Sequence, residues 1–272
     1  MVRLMMLCVA GDVHGAIDVL FVDILAFERQ LGVTFDYVLQ VGDFGVYPGS
    51  PLFGEAESQG AGVGDFPTWL ALRRPAPRRT VFIKGNNEDF AWLDAQVSLE
   101  ILPGLHYLRN GRVLELVAGT ERLRVGGVGG SYSSVHFGRG SGPLKGRARQ
   151  HYTKDDVVRL TAQGGLDIVL THDAPAGVRF PRHRRGDGFV SAAEGLDELL
   201  ATTRPCVCFF GHHHIRLDSQ VAGVPCVGLG KVSQVGSLIA VEIRPDETGW
   251  RNLGEWPSSG RLGSDADALH RS

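Results

Sequence analysis

Five short apolar runs in this chain each stop abruptly at a residue with a polar, metal-compatible side chain. Leu4–Ala10 leads into Gly11-Asp12, Tyr37–Val41 into Gly42-Asp43 and Thr80–Lys84 into Gly85-Asn86. Ile168–Thr171 ends at His172, and Cys206–Phe210 ends at Gly211-His212. Short apolar runs bounded by turn residues are the mark of buried strands. Helical patterns lie between several of them, over Ile17–Leu31, Phe66–Arg73, Phe90–Leu99, Asp155–Gln163 and Ala192–Thr202. Strands alternating with helices predict an α/β fold. In such folds ligands bind beyond the carboxyl ends of the strands, so the polar residues that end the five runs are predicted to gather in one place.

Other segments follow different patterns. Val113–Val117 and Leu123–Val128 flank Ala118-Gly119-Thr120, which predicts a hairpin. Val224–Leu229 and Ser237–Ile243 are two further strand candidates. Gly45–Gly64 and Gly138–Gly146 are predicted loops. From Asn252 the chain turns polar and small, which predicts one domain over residues 1–251 and a disordered tail over 252–272.

The composition excludes some classes of function. The chain has 272 residues, 43% of them hydrophobic, and a net charge of −2. It can therefore bury a sizeable core, and it carries no global charge that advertises a nucleic-acid or membrane surface. No run approaches the length of a membrane span. The apolar stretch Met1–Ala10 is too short for a signal peptide, and cleavage after it would strand Asp12 and His14. Cys8, Cys206, Cys208 and Cys226 form no C-x-x-C pair, which fits reduced thiols in a cytoplasmic protein.

The chemistry is carried by Asp12, His14, Asp43, Asn86, His172, His212 and His214. Each has an ordinary reading when taken alone: a helix-capping Asp, a turn Asn or a hydrogen-bonded core His. Taken together they supply carboxylate, imidazole and amide oxygen donors, which suit manganese, iron, zinc or cobalt, with manganese favoured. The spacing of two in Asp12/His14 and in His212/His214 lets one turn present two side chains to one cluster.

The ordered set G-D-V-H-G, G-D-F-G, G-N-N-E, T-H-D-A-P and G-H-H-H, running from Gly11 to His214, resembles the calcineurin-type metallophosphoesterases. That resemblance implies two central sheets flanked by helices in four α/β/β/α layers. It also implies two metal ions, one held by Asp12, His14, Asp43 and His214, the other by Asp43, Asn86, His172 and His212, with Asp43 bridging. A water shared by such ions is deprotonated near neutral pH and attacks phosphorus in line.

Asn87 departs from that pattern, in which His follows Asn. An amide can donate a hydrogen bond to phosphate but cannot deliver a proton to a leaving oxygen. The departure favours phosphodiesters, of nucleotide or nucleic-acid type, over monoesters. A patchier similarity to RNA lariat-debranching enzymes points the same way. It rests on Gly126–Tyr132, His151 and Asp167–Pro175. His151 is therefore a candidate for a proton or phosphate contact, with a plain surface role as its alternative. Arg184 and Arg185, in a basic run after His172, are candidate phosphate contacts or a solvated loop. Aromatic residues do not interleave that run, so no recognised nucleic-acid module is predicted. A phosphomonoesterase and a catalytically silent metal-bound scaffold are the competing readings.

Overall fold

The computed structural model describes residues 4–49, 64–138, 142–181, 188–244 and 249–257. Among them, thirteen strands form two mixed sheets of seven and six strands. The first contains β1 (Met6–Ala10), β2 (Tyr37–Gln40), β3 (Thr80–Phe82), β4 (Glu100–Leu102), β5 (Leu105–Tyr107), β12 (Leu238–Arg244) and β13 (Gly249–Trp256), in the order β13-β12-β1-β2-β3-β5-β4. The second contains β6 (Val113–Ala118), β7 (Glu121–Val128), β8 (Ile168–Thr171), β9 (Val207–Phe210), β10 (Leu217–Val221) and β11 (Val224–Gly228), in the order β10-β11-β9-β8-β7-β6. The inner strands β1, β2, β3 and β5 run parallel, as do β7, β8, β9 and β11.

The apolar runs are continuous because both faces of these strands are covered. In β1, Leu7 and Val9 point between the sheets, where they meet Leu39, Val41, Ile168, Leu170 and Phe209. Cys8 and Ala10 point the other way, toward Ile17, Leu20, Ile24 and Phe27 of α1 (Ile17–Leu31). The outer face of the second sheet buries Val169, Cys208 and Phe210 under α5 (Lys154–Thr161) and α6 (Leu196–Thr203). Three apolar layers thus separate four layers of secondary structure, as the α/β/β/α expectation requires. Shorter helices complete the described elements: α2 (Phe66–Leu72), α3 (Phe90–Ala95), α4 (Ser134–Phe137) and a 3-10 turn over Gly146–Gln150. No helix among the described residues is long and apolar enough to cross a membrane.

Several boundaries differ from the sequence expectation: the helix predicted over Ala192–Thr202 begins only at Leu196, after Gly195, and the one predicted over Asp155–Gln163 runs over Lys154–Thr161. The helix predicted over Phe90–Leu99 stops at Ala95, because Gln96 turns extended and the chain enters β4. The expected tail from Asn252 is corrected in its first residues: 252–256 belong to β13, which pairs antiparallel with β12. Leu253 and Trp256 pack on the α1 layer, with the Trp256 ring 6.1 Å from that of Phe27. The exposed polar residues around them hid the strand, because an edge strand needs only half its side chains to be apolar. Residues 258–272 lie outside the described residues.

Trp256→Ala should lower stability by about 2 kcal/mol, less than for a fully buried tryptophan. Urea denaturation reads this directly, and an unchanged midpoint would leave β13 without a structural role.

Candidate metal centre

The five strand ends meet at one edge of the molecule, where the two sheets converge. Asp12 and His14 follow β1, Asp43 follows β2, Asn86 follows β3, His172 follows β8, and His212 and His214 follow β9. His14, Asp43, His212 and His214 all have positive φ, at 48°, 53°, 64° and 55°. Such backbone costs of order 1 kcal/mol per residue and persists only where surrounding bonds hold it. Here the Asp43 carbonyl accepts from Val13 N and His14 N at 3.0 and 2.7 Å. Two glycines are required by close approach. A Cβ on Gly85 would overlap the Asp43 carboxylate, and one on Gly211 would overlap that of Asp12.

The side chains form a continuous cluster. His214 Nε2 lies 3.0 Å from Asp12 Oδ2 and 3.1 Å from His14 Nε2. His14 Nε2 is 3.6 Å from Asp43 Oδ2, while the other Asp43 oxygen is 3.6 Å from His172 Nε2. His172 Nε2 is 2.8 Å from Asn86 Oδ1, and the His212 ring centroid is 4.9 Å from that of His172. Asp12, Asp43 and His172 are fully or almost fully buried. Burial opposes ionisation of Asp12, but the His214 bond and the nearby His172 and His14 outweigh it and hold the carboxyl below its ordinary value. Burial likewise opposes charge on His172, and there Asp43 and Asp12 prevail and raise its pKa. For His212 burial and the neighbouring His172 win, pushing its pKa down to about 4.

This arrangement suits cations. Carboxylate, amide and imidazole acceptors facing one another repel unless positive charge sits between them, and a proton shared among imidazoles satisfies only part of the set. The triads Asp12/His14/His214 and Asp12/Asp43/His172 each present ligand atoms within 4.8 Å of one another and could hold a metal ion. His172 Nδ1 lies 2.9 Å from the Val41 carbonyl, the outer hydrogen bond that fixes a ligating imidazole with Nε2 turned inward.

The family model for calcineurin-like phosphoesterases matches residues 5–216. The chain belongs to that family. Among curated proteins it is similar to the lariat debranching enzyme of Schizosaccharomyces pombe, 28% identical over 78% of this chain and 49% of that protein. It is also similar to the lariat debranching enzyme of Entamoeba histolytica, 22% identical over 87% of this chain and 72% of that protein. The chain spans about half the length of the first of these. Among solved structures, a putative 5'-nucleotidase from Staphylococcus aureus aligns over 92% of this chain and 53% of its own, with 14% identity and a TM-score of 0.51, a likeness of fold.

Against the family pattern, Asn87 is the departure, and its side chain is engaged within the cluster. Its Nδ2 donates to Asp43 Oδ2 at 2.6 Å and its backbone N to Asp43 Oδ1 at 2.7 Å. His151 lies beyond the end of β7, paired with Ser131 in a single bridge. Its Nδ1 is 3.2 Å from Ser131 Oγ, and its ring stacks on His136 at 5.1 Å. With Lys84, Arg109 and Arg149 it lines a cavity of 380 Å³ that none of the seven predicted ligands lines. The Thr153 and Asp156 capping box at the start of α5 fixes the chain just beyond it. Arg184 and Arg185 lie outside the described residues. Phe44 is a core residue, stacked on Phe82.

Two features escaped the sequence. Glu88 is buried and accepts the backbone N–H groups of Phe44, Gly45 and Val46 at 2.8, 3.1 and 2.5 Å, so it latches the turn that carries Asp43. Burial, then the Asp43 charge, push its carboxyl up to about 8 against the pull of backbone hydrogen bonds that include Val46 and Phe44. Asp173, beside His172, accepts from Tyr132 N and lies 3.2 Å from His213 Nε2. Burial works against its ionisation, and the His213 bond and nearby His212 overcome it. His213 is thus bound to Asp173, and Asp173, His212 and His213 form a third group of ligand-type atoms. Both residues lie in the motifs G-N-N-E and T-H-D-A-P, but their partners have no sequence signal, because each depends on which loop the fold lays beside the residue.

Replacing Glu88 with Gln should put an amide NH₂ against backbone N–H groups and loosen the Asp43 turn. Manganese affinity, measured by calorimetry on chelator-treated protein, should fall about tenfold or more, as for other residues that support metal ligands. Unchanged affinity would mean that the latch does not position Asp43.

Proposed function

We propose that the chain is a phosphodiesterase acting through two divalent metal ions, manganese first among manganese, iron, zinc and cobalt. Asp12, His14, Asp43 and His214 would hold one ion, and Asp43, Asn86, His172 and His212 the other. The observation that carries this reading is the position of Asp43. One of its oxygens faces His14 and the other faces His172, each at 3.6 Å, as a bridging carboxylate should. Bound there, the ions would supply Lewis-acid stabilisation of the phosphoryl oxygens and a water of lowered pKa.

The protein's own groups do the rest. The Val41 carbonyl, bonded at His172 Nδ1, keeps His172 Nε2 turned inward, and His214 Nε2 faces Asp12 Oδ2. Asn87 holds Asp43 by two hydrogen bonds and can donate to a phosphoryl oxygen, but it moves no proton. The diester preference is supported by that missing proton donor and by the similarity to proteins named lariat debranching enzymes. Substrates of nucleotide or nucleic-acid type follow from the same support, with Arg184 and Arg185 retained as phosphate contacts. The four free cysteines are consistent with work in the cytoplasm. His151 is retained as the candidate proton donor, because β7 and β8 are adjacent parallel strands whose ends share one rim with His172.

Metal-stripped protein reloaded with manganese should hydrolyse bis(p-nitrophenyl) phosphate faster than p-nitrophenyl phosphate. Asp43→Asn should lower that turnover by about a hundredfold or more, since several kcal/mol of charge stabilisation depend on the bridging carboxylate. A monoester preference would reverse the diester assignment and leave the metal cluster standing. His151→Ala should slow a diester with an alkoxide leaving group about a hundredfold and a p-nitrophenyl ester little. Equal rates with wild type on both would remove His151 from the reaction.

A further inference from the structure

A ledge of aromatic rings stands beside the proposed metal centre. The segment after His172 folds back on itself as a ribbon: Phe180 N donates to Phe189 O at 2.8 Å, Ser191 N to Val178 O at 2.8 Å and Gly177 N to Ser191 O at 3.0 Å. Phe180 and Phe189 stack with centroids 4.5 Å apart and planes 13° from parallel. Phe180 is buried against Phe210 at the end of β9. Phe189 is 46% exposed, with Phe180 on one face. His213 closes the corner, 4.3 Å from Phe180 and 5.2 Å from Phe189, ring to ring. It is held in place by Asp173 Oδ1 and stands 4.9 Å from the ring of His212, a proposed ligand.

We propose that Phe189, backed by Phe180 and His213, is a stacking platform for a nucleobase of the substrate. This inference rests on the phosphodiesterase reading and names its substrate class. A large apolar ring left half exposed and joined through the His213 ring to His212, a proposed metal ligand, is suited to a planar group carried by the ester itself. The stack of Phe180 on Phe189 supplies flatness, and the paired ribbon with the Asp173–His213 bond supplies rigidity, so little ordering is required on binding. Stacking accepts any base, because every base presents a π face, so the platform would select nucleoside esters without selecting sequence. The His213 ring, one residue from His212 and from His214, ties the platform to the reacting centre.

Thymidine 5'-(p-nitrophenyl phosphate) and methyl p-nitrophenyl phosphate share leaving group and charge and differ in the base. With full-length, manganese-loaded protein, Phe189→Ala should raise KM for the thymidine ester about tenfold, the scale of one lost stacking contact. It should leave kcat, and both constants for the methyl ester, unchanged. Phe189→Trp should restore the wild-type KM. An unchanged KM for the thymidine ester, or the same rise for both esters, would overturn the platform. If wild-type protein turns over neither ester, the phosphodiesterase reading fails and the platform is judged by binding alone. Calorimetry with thymidine 5'-monophosphate should then show affinity about tenfold weaker in Phe189→Ala, and equal affinities would overturn it.

Discussion

The contact of the His172 imidazole with the Val41 carbonyl, at 2.9 Å, joins the ends of two strands that belong to different sheets. Much of the site depends on this junction. It brings β2 and β8 together at their carboxyl ends, so Asp43 and His172 share one space. Val232 N, in the segment after β11, donates to the carbonyl of Asp12 after β1, so the seam is closed by backbone as well as by imidazole. The same seam contains two buried carboxylates. A buried charge without partners costs several kcal/mol, and Asp12 is partnered by the backbone N of His212 and by His214. Asp43 is partnered by Asn87. The polar cluster is therefore part of what aligns the sheets, and the apolar layer between them is what keeps it dry.

Four cluster residues sit in left-handed backbone, and this strain explains why the turns are so tightly supported. The Glu88 carboxylate, the Asp43 carbonyl and the glycines at 85 and 211 all act on the same few turns. A carboxylate that must face two ligand groups tolerates little rotation, so its backbone is fixed from three sides. Glu88 fixes the following residues, Asn87 fixes the side chain, and Val13 and His14 fix the carbonyl.

What could be read from the sequence follows the same physics. The strand ends were legible because burial on both faces leaves an uninterrupted apolar run, and only a polar turn can end it. The residues at those ends were legible because they are adjacent in sequence to the runs. β13 was not, since an edge strand alternates and Asn252, Glu255 and the glycines around them imitate a tail. Nor was the pairing of Phe180 with Phe189. Eight residues separate the two rings, and only the ribbon pairing shows that they stack. The latch by Glu88 was hidden because a Glu two residues after Asn86 has the same sequence whether it faces solvent or three backbone donors.

The engagement of Asn87 bears on the proposed reaction. Asn87 donates to both oxygens of Asp43, so the residue that stands in place of a histidine holds the Asp43 carboxylate and carries no proton. A leaving oxygen must then take its proton from another group, or depart without one. Diesters of nucleosides leave as alkoxides and need that proton, and its proposed source stands on the rim shared by β7 and β8. His151 is on that rim, and burial lowers its pKa, which keeps it largely neutral in the resting protein. A neutral imidazole is a poor acid on its own. Bound substrate would change this, because the negative charge of a phosphodiester favours the imidazolium and so raises the proton affinity of a nearby histidine. Proton delivery in this chain would thus depend on substrate being in place, in contrast to a family pattern where the donor is built next to the metal ligands.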